Sequence, residues 1–372
     1  MESPSLLRLS EPRELLALVP HLLGFHPDDS AVAVSLRAPR GRVGLVARVD
    51  LADLADAEHG PQVARSLVTH LDRDGARRVV LVVYAARGVE DERVEAAASH
   101  AHEAFDLPFG GAQVLVVGRD TYRCLACDAG CCPPAGRPRS DLQATRAGAE
   151  MVLAGSVVAA GRAELGHVPG AATPARRAVA RVRRRRAQAR LHALAAGPSD
   201  VGRWRTGSLA AWRALVRSVE GADAGPVTRI ALLGRVEAGL EDRRVRDAVL
   251  VAAIPGVGSL PDRALAHAGP AEDAELREAV ARLVDPREAA PPDAAVAAHR
   301  RALEDVVAHG RRGAQAPATT LLATLAWWQG DGARASVLLD RALQDDPAYR
   351  LALLLRTAVD AGLAPGWVRG RP

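Results

Sequence analysis

The stretch RRVVLVVYA, residues 77–85, decides how the first part of this chain is read. A strand with one wet face alternates apolar and polar residues, whereas Val79, Val80, Leu81, Val82 and Val83 are apolar at every position. Such a run fits a strand covered on both faces, the centre of an α/β sheet. A second run of this kind, AQVLVVG at 112–118, follows a helical pattern at 90–105. Upstream, GPQVARSLVTHLDRDGA places Val63, Leu67, Val68 and Leu71 at helical spacing, with Gly75 as a stop. Before it, SAVAVSL (30–36) and RVGLVARVDL (42–51) read as strands joined by the turn-rich APRG, and a helix is expected at about 11–23. Strands alternating with helices imply a mixed sheet with helices packed on it.

From about residue 140 the strand signal stops. Segments such as 173–195, 204–220, 293–309, 317–328 and 332–345 are rich in Ala, Leu, Val and Arg at helical period, with Gly and Pro between them. The expected organisation is an α/β N-terminal domain over 1–140 with a Cys-rich hairpin at its end. A helical, Arg-rich connector over 141–200 and an all-α region over 201–372 complete it. At its end Gly330, Ala335, Leu339, Ala342 and Pro347 stand at the offsets of a tetratricopeptide-like helical hairpin. One such unit is too few for a solenoid, so core packing is preferred over a peptide groove.

Composition excludes several chemistries. The chain of 372 residues has no lysine and no asparagine, so all 49 basic residues are arginine. Without lysine there is no P-loop nucleotide site, no pyridoxal phosphate Schiff base and no kinase lysine. Without asparagine there is no N-glycosylation acceptor and no Cys-His-Asn set. With abundant Ala, Gly and Pro, the arginine bias reads as GC-rich coding, and a net charge of +5 is small for a dedicated nucleic-acid binder. No stretch approaches a membrane span or an uninterrupted signal-peptide core, so the expectation is a cytoplasmic protein with no membrane partner.

Four segments in order, LLGFHPDDSAVAV (22–34), RVDL (48–51), CCPPAGRP (131–138) and GDGARASVLLDRAL (330–343), resemble the actinobacterial family known as domain of unknown function 4192. The resemblance spans nearly the whole chain and implies no particular activity, cofactor or partner. The family pattern has one cysteine before the Cys-Cys pair, whereas Cys124 precedes Cys127 here, which argues against all four thiols forming one required site.

Three places could carry chemistry. In GFHPDDS (24–30), His26 with Asp28, Asp29 and Ser30, joined by Asp50 at the end of the second strand, could form an acid/base or metal site at a strand end. The competing reading is a loop whose Asp and Ser side chains bond their own backbone. In TPARRAVARVRRRRAQAR, the helix 176–190 carries Arg183, Arg184, Arg185 and Arg186. These could contact phosphates, but they point all round the helix and lack interleaved aromatics, so an exposed helix in an Arg-biased chain is preferred. All four cysteines fall between Cys124 and Cys132. Asp128 and Gly130 suit a three-residue turn that sets Cys127 opposite Cys131, with Cys124 and Cys132 as lesser members. Reduced structural thiols, a redox-responsive pair and a zinc ligand set are the readings, in that order.

His100, His102 and Glu103 spread over different helix faces, and PGVGSLPD, TGS and AGS lack the contexts of nucleotide or nucleophile motifs. The expected function is therefore a non-enzymatic binding or scaffold protein with a possible protein partner on its helical region. The alternatives are an enzyme acting on a small polar molecule at the His26/Asp28/Asp29/Asp50 loop and a nucleic-acid-associated protein using the Arg-rich helix.

Overall fold

In the computed structural model the run at 77–85 is the middle of a sheet. The structure describes residues 11–125, 132–133, 135–221, 225–266, 269–289 and 291–369. They fall into two compact units, Met1–Leu165 and Gly166–Pro372.

The first unit runs α1 (Pro12–Leu23), β1 (Ser30–Arg37), β2 (Arg42–Asp50), α2 (Leu51–Ala55), α3 (Gly60–Arg73), β3 (Ala76–Tyr84), α4 (Glu92–Phe109) and β4 (Ala112–Val117). It closes with β5 (Thr121–Cys124), β6 (Arg137–Pro138), a 3-10 turn at Arg139–Ala144 and α5 (Arg146–Leu153). The sheet order is β2-β1-β3-β4-β5-β6. Only β3 and β4, joined through α4, are parallel. The sheet is therefore mixed, as the alternating sequence pattern requires.

Alternation along the strands sorts the apolar runs between two faces. Ala31, Ala33, Leu81, Val83 and Val116 pack with Leu54, Leu67, Leu71 and Phe105 of α2, α3 and α4. Val32, Val34, Val82, Tyr84 and Val117 are buried on the opposite face. Register then aligns three strand ends. Ser30 at the start of β1 sits beside Tyr84 at the end of β3, and Tyr84 beside Val117 at the end of β4.

Two local features differ from the sequence reading. The second strand ends at Asp50 and the chain turns at once into α2, because Leu51 and Leu54 are fully buried on one side of a helical turn. In the helical connector expected over 141–200, α5 is the only α-helix before Thr173. The chain beyond it is extended at Ala159, which bridges Phe25.

The second unit is helical: α6 (Thr173–Ala196), α7 (Pro198–Val219), α8 (Pro226–Leu240), α9 (Arg243–Val251), α10 (Leu260–Ala266), α11 (Pro270–Ala281), α12 (Val296–His309), α13 (Ala316–Trp328), α14 (Gly332–Asp345), α15 (Arg350–Asp360) and α16 (Gly366–Arg369). α13 is buried along almost its whole length and pairs with α14 through a turn at Gly330, whose φ of 88° suits glycine. α6 lies against α8 at Gly234, where an added Cβ would come within 2.6 Å of Val182 Cβ and 2.8 Å of the Val179 carbonyl oxygen. That close approach admits only a hydrogen at position 234.

Among the described residues, no helix is long and apolar enough to cross a membrane.

Candidate functional site

The carboxyl ends of β3 and β4 open onto a pocket of about 290 Å³. His26, Pro27 and Asp28 from the α1–β1 loop, Tyr84 from β3, and Arg119 and Arg139 line it.

The loop is held from both sides. Gly24 ends α1 in the left-handed region at φ 78°. Its carbonyl accepts from the Ala159 amide at 2.8 Å, and the His26 amide donates to the Ala159 carbonyl at 2.9 Å. Asp29, at φ 39°, is a non-glycine residue in an unfavourable region. Its carboxylate fixes it there, since Oδ1 accepts from the Ala86 amide and from Arg93, each at 3.0 Å. Arg93 also binds Asp91, which caps α4 through the Arg93 amide at 3.1 Å. This Asp29–Arg93–Asp91 clasp fills the positive end of α4 with a protein carboxylate. The pocket's own positive charge comes from the arginines.

Sequence reading grouped His26, Asp28, Asp29, Ser30 and Asp50, and the structure divides them. His26 and Asp28 stand on the pocket rim. Asp29 belongs to the clasp. The buried Ser30 hydroxyl donates to the Asp28 carbonyl at 2.6 Å and accepts from Arg48 Nε at 2.9 Å. Asp50 is Ser30's partner across the β1–β2 ladder, and its carboxylate is bound by Arg48 at 2.7 Å, away from the pocket lining.

Two groups missing from that reading complete the site. Tyr84 is 4% exposed, and its hydroxyl has no hydrogen-bond partner among the described residues. Burial pushes its pKa upward, against the pull of the Arg139 charge, so it stays a neutral donor. Arg139 is anchored by donating to the Gly118 carbonyl at 3.2 Å. Partial burial, then the Arg139 charge, holds His26 below the ordinary histidine range, so its imidazole is neutral at neutral pH. The signal for Tyr84 was present: it is the single hydroxyl closing an otherwise apolar run.

The other candidates are also placed. Cys127 and Cys131 lie outside the described residues. Among the described residues, β5 and β6 pair antiparallel, Tyr122 with Arg137, and the Cys124 amide lies 3.4 Å from Cys132 Sγ. Among the described residues no group of three His, Cys, Asp or Glu side chains is arranged to hold a metal ion.

The arginine run is sorted by helical phase. Arg183 pairs with Glu241 at 2.6 Å and Arg190 with Asp242 at 3.2 Å. Arg186 donates to the Trp204 carbonyl and to Ser208 Oγ, and lies over the Trp204 ring at 4.9 Å. Arg184 and Arg185 are exposed.

A family model described as a domain of unknown function, DUF4192, matches residues 12–366, and the chain belongs to that family. No curated protein and no solved structure matches it.

Proposed function

We propose that the α/β unit binds a small molecule bearing a carboxylate or phosphate at the carboxyl ends of β3 and β4. The observation that carries this reading is the Tyr84 hydroxyl, a buried donor without a partner among the described residues in a pocket rimmed by Arg119, Arg139 and His26. A buried polar group left unpaired costs about 1–3 kcal/mol, and a ligand oxygen would remove that cost. The guanidinium groups supply planar, charge-assisted donors for the same oxygens. Asp28, on the same rim, favours a ligand that also presents a hydroxyl or amine.

Binding without turnover is the reading the side chains support. Asp29 is held in the clasp, and the Ser30 hydroxyl is engaged on both its donor and acceptor sides. Neither stands ready as a base or nucleophile.

The test is calorimetric titration of the full chain with inorganic phosphate and, separately, succinate. We expect saturable binding of one of them, weakened about tenfold or more in Arg139→Gln, in line with the worth of a charged hydrogen bond. Tyr84→Phe should weaken the same ligand by a smaller factor. Absence of binding by both anions, or equal affinity in both variants, would overturn the assignment.

A further inference from the structure

The helical unit contains a cleft of its own, about 200 Å³, between α7, the turn from α9 to α10, and α12. Its walls are apolar where Val216, Val257 and Pro261 face it. Set in those walls are two aromatic nitrogen groups. Trp212 is 1% exposed and its Nε1–H has no partner among the described residues. His299 Nδ1 is likewise buried and unpaired. The two rings stand 5.5 Å apart between centroids. Charge enters at the rim. Arg213 is neutralised by a bidentate pair with Asp262, at 2.6 and 2.7 Å, which leaves the exposed Arg217 as the cation facing the opening.

An occupant that satisfies this lining has a flat apolar body for the Val257, Pro261 and His299 walls, an acceptor for the indole N–H, and a negative charge for Arg217. We infer that this cleft is a second, independent binding site, for a small aromatic carboxylate of about the size of benzoate. A cavity somewhat smaller than this one accommodates a benzene ring, so the volume suffices for the ring and its carboxylate. The carboxylate oxygens accept from Trp212 Nε1–H and from Arg217, and in its Nδ1-protonated tautomer His299 donates as well.

Benzoate is the probe. All five tryptophans lie in the second unit, so the indole N–H resonances of tryptophan-labelled full chain report this cleft and not the α/β pocket. One resonance, identified as the one lost in Trp212→Phe, should move saturably with a Kd on the order of 0.1–1 mM, as expected for so few atoms. Benzamide, which keeps the ring and loses the charge, should bind about tenfold more weakly. Ala252→Phe, which fills the cleft wall, should abolish the shift while the protein melts cooperatively. If Trp212→Phe does not fold, the benzoate–benzamide comparison and Ala252→Phe still decide the matter. No saturable shift, equal affinity for benzamide, or unchanged binding in Ala252→Phe would each overturn the site.

Discussion

Removing the Asp242 carboxylate should destabilise the helical unit by about 3 kcal/mol, and the structure shows how that sum arises. Asp242 is 3% exposed. Its Oδ1 accepts from the Arg244 and Val245 amides at 3.1 and 3.4 Å, closing the first turn of α9. The same carboxylate binds Arg205 at 3.1 Å and Arg190 at 3.2 Å, tying α6, α7 and α9 together. Asp242→Ala loses a helix cap, worth about 1 kcal/mol. It also strands two guanidinium groups. Breaking a fully buried pair costs about 3–5 kcal/mol, but Arg205 and Arg190 remain 21% and 34% exposed and can turn toward water, which reduces this part to about 2 kcal/mol. Asp242→Asn keeps a capping oxygen and loses only the charge, so it should cost about half as much. Tryptophan fluorescence during urea unfolding reads this unit alone, because every tryptophan is in it. Burial by itself would raise the Asp242 carboxyl, but the Arg205 hydrogen bond, with the Arg205 and Arg190 charges, holds it below the ordinary range. The charge contribution is therefore complete above the unfolded value of about 3.9 and disappears as pH falls through the lower folded value. A cost below about 1 kcal/mol for Asp242→Ala, or equal costs for the two variants, would refute the reasoning. So would a difference between wild type and Asp242→Asn that varies between about pH 5 and 8.

Two further outcomes follow from single contacts. Tyr84→Phe should leave thermal stability unchanged or raise it by up to about 1 kcal/mol, because it removes a buried hydroxyl that lacks a partner; a melting curve showing a clear loss would mean the hydroxyl is already satisfied. Gly234→Ala should cost about 2 kcal/mol or more, since the new methyl meets Val182 and the Val179 backbone; urea unfolding followed by tryptophan fluorescence measures it, and a cost under about 0.5 kcal/mol would show that α6 and α8 part easily.

The sheet was legible because runs such as 77–85 and 112–118, short, β-branched and apolar throughout, fit a strand buried on both faces. The helical region was legible from its period and its Gly and Pro breaks. What escaped were segments too short to show a period, such as α2 and α10, and the extended piece at Ala159, which is fixed by a bridge to a distant loop. The site divides along the same line. His26 and Asp28 were visible as a polar loop at a strand start. Tyr84 was marked only as the hydroxyl closing an apolar run, and it and Arg139 are brought to the loop by strand register and the β5–β6 return. The arginine run shows the opposite limit. Its composition suggested a solvated or phosphate-binding face, but Arg183, Arg186 and Arg190 recur at helical spacing and are drawn into pairing and ring stacking.

The bridge between Phe25 and Ala159 also sets an order of assembly. The loop that presents His26 is synthesised early, yet the strand segment that fixes it is more than a hundred residues downstream. At about 5–20 residues per second that interval lasts roughly 7 to 27 s. The sheet can pair up to β4 in the meantime. Arg139 arrives later still, and Ala159 and Ala160 last. The lining of the pocket is therefore complete only once Ala160 has been synthesised.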